Sequence, residues 1–226
     1  MTELSTLRKK LGVEIDAELL ALAVTHRSYA YEHGGIPHNE RLEFLGDSIL
    51  GQATTVLLYT RHPELDEGQL AKRRASVVST VALAESARRI GIGEFLLLGR
   101  GEEQTGGRDK DSILADTTEA LIGATYLSSG QEAATKLVHS IVEPLLADPE
   151  RYGAAMDPKT ALQELAAKLS LPAPVYTMEA TGPDHDRRFT ATVTVGEHVM
   201  TGNGTSKKTA EMAGALALWH QLNERA

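Results

Sequence analysis

The chain has 226 residues, 42% hydrophobic and 24% charged, with a formal net charge of −8 and no cysteine. That length and balance suit one large or two modest globular domains, and the missing thiols exclude disulfide and thiolate chemistry. An acidic total speaks against indiscriminate binding to a polyanion, so any case for nucleic acid has to rest on local clusters. The excess acid is itself local. Counted along the sequence, residues 1–150 carry 15 Lys+Arg against 23 Asp+Glu, and residues 151–226 carry 8 of each. The opening Met1-Thr2-Glu3-Leu4-Ser5 has no apolar signal core and no run approaches membrane-spanning length, which points to a cytoplasmic protein with no membrane partner.

Residues 5–30 read as helical, with Leu7, Leu11, Leu19, Leu22 and Val24 as apolar contacts. In Thr25-His26-Arg27-Ser28-Tyr29, His26 has two readings, a catalytic group or a histidine that satisfies backbone groups, and the second is the commoner role. Residues 32–38 form a loop by their Gly and Pro content, and His33 and His38 in it read as solvated rather than as metal ligands.

A helix follows from Asn39, expected as its N-cap. Glu40, Glu43 and Asp47 fall at i, i+3 and i+7 on one face, while Leu42, Leu45 and Ile49 share another. An acidic face is ordinarily just solvated. Here the acids interleave with a dense apolar run, and carboxylates that become partly buried need a partner, often a metal. Phe44, between them, is either core or interface.

A Pro63 turn leads to a helix expected over residues 69–90, with Lys72-Arg73-Arg74 near its start. Those cations oppose the helix dipole, and either an anionic ligand or the nearby Asp66 and Glu67 accounts for them. Residues 96–110 are Gly-rich and charged but lack the Gly-Lys-Ser/Thr ending of a nucleotide-binding loop. The run 112–124 is a second apolar helix carrying Asp116 and Glu119 at i and i+3. If the two acidic helices face each other, four carboxylates converge, and an all-oxygen set of this kind suits Mg²⁺ or Mn²⁺, without the His and Cys of a zinc site.

Residues 131–147 make another amphipathic helix, and 148–156 lose periodicity and read as a linker. The chain therefore divides into an all-helical domain at 1–147, a linker at 148–156 and a second domain at 157–226, an α+β organisation overall. In the second domain Asp157 and Pro158 open a helix to about Ser170. Strand signals follow, clearest over 189–195, where apolar odd positions alternate with Thr at even ones. A last helix from Lys207 carries Ala210, Ala213, Gly214 and Ala217, small enough for close packing on a sheet.

The stretch Asn39-Glu40-Arg41-Leu42-Glu43-Phe44-Leu45-Gly46-Asp47-Ser48 resembles the signature of the ribonuclease III family, and residues 112–124 resemble that family's second acidic helix. The α-β-β-β-α order, with Ser206-Lys207-Lys208-Thr209-Ala210-Glu211 entering the last helix, resembles a double-stranded-RNA-binding domain. The resemblance spans nearly the whole chain. It implies an all-helical endonuclease domain followed by a small RNA-binding domain, hydrolysis of double-stranded RNA to 5′-phosphates and short 3′ overhangs, and work in rRNA-precursor and mRNA processing. It further implies Mg²⁺, with Mn²⁺ as a substitute, on Glu43, Asp47, Asp116 and Glu119, and with Glu40 and Glu67 at lower weight. Asp47 and Glu119 become the catalytic candidates, Glu119 the foremost. Gln163, Glu164 and His185 are expected at minor grooves and Lys207 and Lys208 on phosphates, with Arg108 and Lys110 as weaker phosphate contacts; such recognition senses A-form shape rather than base sequence. A homodimer is implied, with Phe44 at its interface. Three other classes fit less well. A binding-only relative has no need of all four acids, a di-iron bundle needs Glu-x-x-His pairs, and a two-carboxylate glycosidase leaves the second domain unused.

Overall fold

The structure, a computed structural model, describes residues 2–183 and 187–224. It divides into two units, Met1–Pro149 and Glu150–Ala226. The first is helical: α1 Thr2–Leu11, α2 Ala17–Ala23, α3 Arg27–Glu32, α4 Glu40–Arg61, α5 Glu67–Val77, α6 Thr80–Ile90, α7 Arg100–Gln104 and α8 Asp111–Val142, with short 3₁₀ turns between some of them. Leu50 and Leu58 of α4, Leu83 of α6 and Leu114, Leu121, Ile122, Leu137 and Ile141 of α8 are fully buried and make the core. Among the described residues no helix is long and apolar enough to cross a membrane.

Several helices expected as single runs are broken, each for a local reason. The 5–30 run breaks at Gly12, whose φ of +68° ends α1, and again where Thr25 bridges Leu97. The 69–90 run breaks at Ser79, whose hydroxyl accepts the Ala82 N–H at 3.3 Å and so starts α6 afresh. Conversely, the second acidic helix and the 131–147 helix are one element, α8, kinked at Gly130 (φ 81°, ψ −177°). Asn39 takes the N-cap position of α4, but its side chain makes no capping bond. It sits in helical geometry, buried, and its Nδ2 donates to the Ala23 carbonyl at 3.3 Å, tying the start of α4 to the end of α2.

The segment expected as an irregular linker, 148–156, is instead helical over Pro149–Met156, here α9. Tyr152 and Ala154 are buried, and Ala154 belongs to the core of the second unit. Burial of those two side chains is what gives the stretch its structure, despite weak periodicity. Beyond it run α10 Pro158–Lys168, β1 Val175–Thr181, β2 Arg188–Val195, β3 His198–Gly204 and α11 Lys207–Asn223. Asp157 caps α10 as expected, accepting the Thr160 N–H at 3.3 Å. The strands form an antiparallel sheet ordered β1-β2-β3, with Met178 opposite Ala191 and Val193 opposite Met200. Ala191, Val193 and Val195 point inward, and Leu162, Leu165, Leu218, Trp219 and Leu222 cover Val193 and Val195. The expected order, helices first and α-β-β-β-α after, is the one observed.

One core position is unusual. Thr117, Thr118 and Thr125 of α8 each return their hydroxyl to the carbonyl four residues back, at 2.7–2.8 Å. Thr54 of α4 is just as buried, yet its Oγ1 has no partner. Thr54→Val keeps the shape and removes an unsatisfied hydroxyl, so a gain of about 1 kcal/mol in unfolding free energy is expected by denaturant titration.

Candidate active site

α4 carries Glu43 and Asp47, α8 carries Asp116 and Glu119, and the two helices cross where neither has a side chain. A Cβ on Gly46 would overlap the Glu119 carbonyl oxygen; one on Gly123 would overlap that of Leu42 and lie 3.3 Å from the Gly46 nitrogen. Backbone therefore meets backbone. Glu43 lies one turn before Gly46 and Asp47 beside it, while Glu119 lies one turn before Gly123 and Asp116 one turn earlier still. The crossing sets how near the four acids stand.

Their electrostatics place them in one region. Burial pushes the Glu119 carboxyl up to about 8, and Asp47, Glu43 and Asp116 add to the rise in that order. Burial also raises Glu43, with Asp116 and Glu40 adding and Arg27 opposing. Asp116 is raised by burial too, opposed by Arg27. None of these four carboxylates has a hydrogen bond or ion pair among the described residues, in contrast to Glu40, which faces Arg27 Nη1 at 3.5 Å and His38 Nδ1 at 3.9 Å. Nor, among the described residues, do any three His, Asp or Glu side chains gather tightly enough to hold an ion as they stand. Carboxylate oxygens alone, unpaired, partly buried at Glu43, Asp116 and Glu119 and exposed at Asp47, are donors that fit a hard divalent cation.

The other sequence candidates fall variously. Glu67 opens α5, exposed, and is not among the charges that act on Glu43, Asp116 or Glu119. His26 satisfies backbone: its ring Nδ1 accepts the Ser28 N–H at 3.2 Å, and burial lowers its pKa. Phe44 is not core, being 78% exposed. Arg108 and Lys110 each have part of their donors engaged by neighbouring groups. Arg108 donates to Glu103 at 2.6 Å and to the carbonyls of Gly93 and Leu96 at 3.0 Å, and Lys110 donates to Glu102 and, at 2.9 Å, to Thr105. Arg74 reaches Thr55 at 3.0 Å and Arg73 lies beside His62.

In the second unit Lys207 and Lys208 occupy the first exposed turn of α11, which opens with a capping box between Ser206 and Thr209. Gln163 and Glu164 lie on the exposed side of α10. His185 lies outside the described residues. Two features escaped sequence reading. Arg27 acts on Glu43 and Asp116, yet its distance from them in sequence gives no sign of it. The Gly46–Gly123 contact was foreshadowed by a glycine one turn after an acid in each helix.

A carboxylate cluster between two crossing helices, followed by an α-β-β-β-α module with a lysine pair at a helix start, defines a nuclease joined to a duplex-binding domain. Comparison with known proteins agrees. A family model described as Ribonuclease-III-like matches residues 16–145, and one described as Double-stranded RNA binding motif matches residues 158–222. Among curated relatives, Ribonuclease 3 of Leifsonia xyli subsp. xyli is 67% identical, covering 100% of this chain and 96% of its own. Ribonuclease 3 of Thermobifida fusca is 56% identical, covering 97% and 92%. Among solved structures, the nuclease domain of ribonuclease III from Campylobacter jejuni matches with a TM-score of 0.59 at 36% identity, over 64% of this chain and 96% of that one. A second structure of that domain, described by flexibility in a region involved in dimer formation, matches at 0.58 and 36%, over 62% and 95%. The chain belongs to the ribonuclease III family. It is an endoribonuclease of double-stranded RNA.

Proposed function

We propose that the chain hydrolyses phosphodiester bonds of duplex RNA with Mg²⁺, or Mn²⁺ in its place, held by Glu43, Asp47, Asp116 and Glu119, and leaves 5′-phosphates and short 3′ overhangs. The observation that supports this is the close backbone contact of Gly46 and Gly123, with the four unpaired acids within two turns of it and the Glu119 carboxyl pushed up to about 8. When bound, the cation makes water nucleophilic at neutral pH and offsets charge on the departing 3′ oxygen. The four acids would hold it, and Glu119, whose carboxyl is pushed up to about 8, would release its proton to do so. Asp47 and Glu119 are the catalytic candidates, and Glu40 is a supporting charge. Glu67, exposed at the start of α5, stays a candidate of lower weight. Lys207 and Lys208 hold phosphates, Gln163 and Glu164 meet minor grooves, and duplex shape rather than sequence selects the RNA. Arg108 and Lys110 are weaker phosphate candidates, since Glu103 and Glu102 already engage part of their donors. The family resemblance extends this proposal to processing of rRNA precursors and mRNA in the cytoplasm.

The test is wild-type protein on a long RNA duplex with Mg²⁺ or with EDTA, following binding and cutting separately. Cutting that requires the cation, with binding retained in EDTA, is expected. Binding without cutting in either Mg²⁺ or Mn²⁺ would make the acids structural.

The same reading includes a homodimer. Phe44 leaves α4 almost fully exposed, and Val56, Tyr59 and Leu127 are exposed apolar side chains on α4 and α8. A bare aromatic of that size favours a pocket on a second copy. Phe44→Glu is expected to weaken association at least about a hundredfold, a loss of about 3 kcal/mol, read by sedimentation against concentration. An unshifted dimer would place the interface elsewhere.

A further inference from the structure

We propose that Arg27 is a substrate contact of the nuclease site, its guanidinium taking a phosphate oxygen of the RNA strand that enters beside Glu43 and Asp116. This rests on the reading of the acid cluster as the cleavage site.

The backbone that carries Arg27 is braced from several sides. The His26 N–H donates to the Leu97 carbonyl at 3.1 Å, and the Asn39 N–H donates to the Thr25 carbonyl at 3.0 Å. Ser28 Oγ accepts the Gly99 N–H at 2.9 Å, and Glu32 accepts the Arg100 N–H at 2.8 Å. The side chain, by contrast, is 62% exposed, and its one hydrogen bond among the described residues is a long 3.5 Å reach to Glu40 Oε1. A pair that loose and that solvated adds little to stability. It leaves most of the guanidinium donors unspent, and a guanidinium matches two phosphate oxygens at once.

Its place gives those donors a purpose. Arg27 is the cation whose charge opposes the rise of both Glu43 and Asp116. An RNA phosphate approaching this face meets Glu40, Glu43, Asp47, Asp116 and Glu119, all repulsive when ionised. A resident cation on a fixed backbone lowers that barrier where the strand enters. Glu40 holds it beside the site in the free protein and yields to the more strongly bonding phosphate. Arg108 and Lys110 are less available, since Glu103 and Glu102 already hold part of their donors.

The test uses the full chain in a Glu119→Gln background, so that duplex binding is read without cutting. Arg27→Gln is expected to weaken duplex binding about tenfold at moderate salt and to reduce the slope of log affinity against log salt by about one. Arg27→Lys should recover most of that slope. Both variants should keep the thermal midpoint of the parent, because the pair they remove is exposed. An unchanged salt slope in Arg27→Gln, or a binding loss that Lys does not relieve, overturns the proposal. Failure of the underlying reading shows separately, as cutting that survives Glu119→Gln.

Discussion

Glu119→Gln is expected to lower the rate of duplex cutting by at least about a thousandfold, the several kcal/mol of charge stabilisation a metal site supplies, while duplex binding stays within about twofold. The amide keeps the size and burial of the side chain but cannot carry the charge that draws in a cation. Single-turnover cutting and a filter-binding or anisotropy titration separate the two effects. Loss of binding together with cutting would mean that Glu119 supports the fold rather than the chemistry.

A pH dependence follows from the same residue, and its sign is opposite to that of an ion-paired carboxylate. Glu119 keeps its proton in the fold up to about 8, whereas its ordinary value is 4.5. Between those values the folded state binds the proton that the unfolded chain has lost, so metal-free stability falls as pH rises through that window. Replacing Glu119 by Gln removes the titrating group. The metal-free variant should therefore melt above wild type near pH 8, with the difference closing toward pH 5. Mg²⁺ should raise the wild-type midpoint more as pH increases, because the proton that competes with it has gone. An equal pH response in both proteins would exclude Glu119 as the group responsible.

The acids and the two-domain order were legible in the sequence because both rest on local spacing. Glu43 to Asp47 and Asp116 to Glu119 are one helical turn apart, and the alternation at 189–195 marks a strand by itself. Other features depend on partners far along the chain. Asn39 has the chemistry of an N-cap, but contact with the end of α2 draws its side chain to the Ala23 carbonyl instead. Residues 149–156 look irregular because burial of Tyr152 and Ala154 organises them rather than their periodicity. Arg108 and Lys110 resemble free cations until Glu103 and Glu102 are seen folded onto them. Which of Arg27, Arg108 and Lys110 keeps open donors beside the acids is a tertiary fact, and no spacing rule reveals it.

Gly46→Ala should be the most damaging small substitution in the first unit, and a second glycine of the same helix provides its control. In an exposed helix, alanine for glycine stabilises by about 1 kcal/mol. Gly51, also in α4, has nothing within 4 Å of a new Cβ, so Gly51→Ala should realise part of that gain. At Gly46 the methyl would land on the Glu119 carbonyl, a backbone atom that cannot rotate away. The two helices then have to separate, and overpacking of this kind costs about 3 kcal/mol or more, which outweighs the helical preference. Separation also moves Glu43 and Asp47 away from Asp116 and Glu119. Cutting should therefore fall further than the loss of folded protein explains, and Mg²⁺ should stabilise Gly46→Ala less than it stabilises Gly51→Ala. Thermal melts of both variants with and without Mg²⁺ read this directly. If Gly46→Ala were as stable as wild type and bound Mg²⁺ equally well, the crossing would not be what holds the acids together.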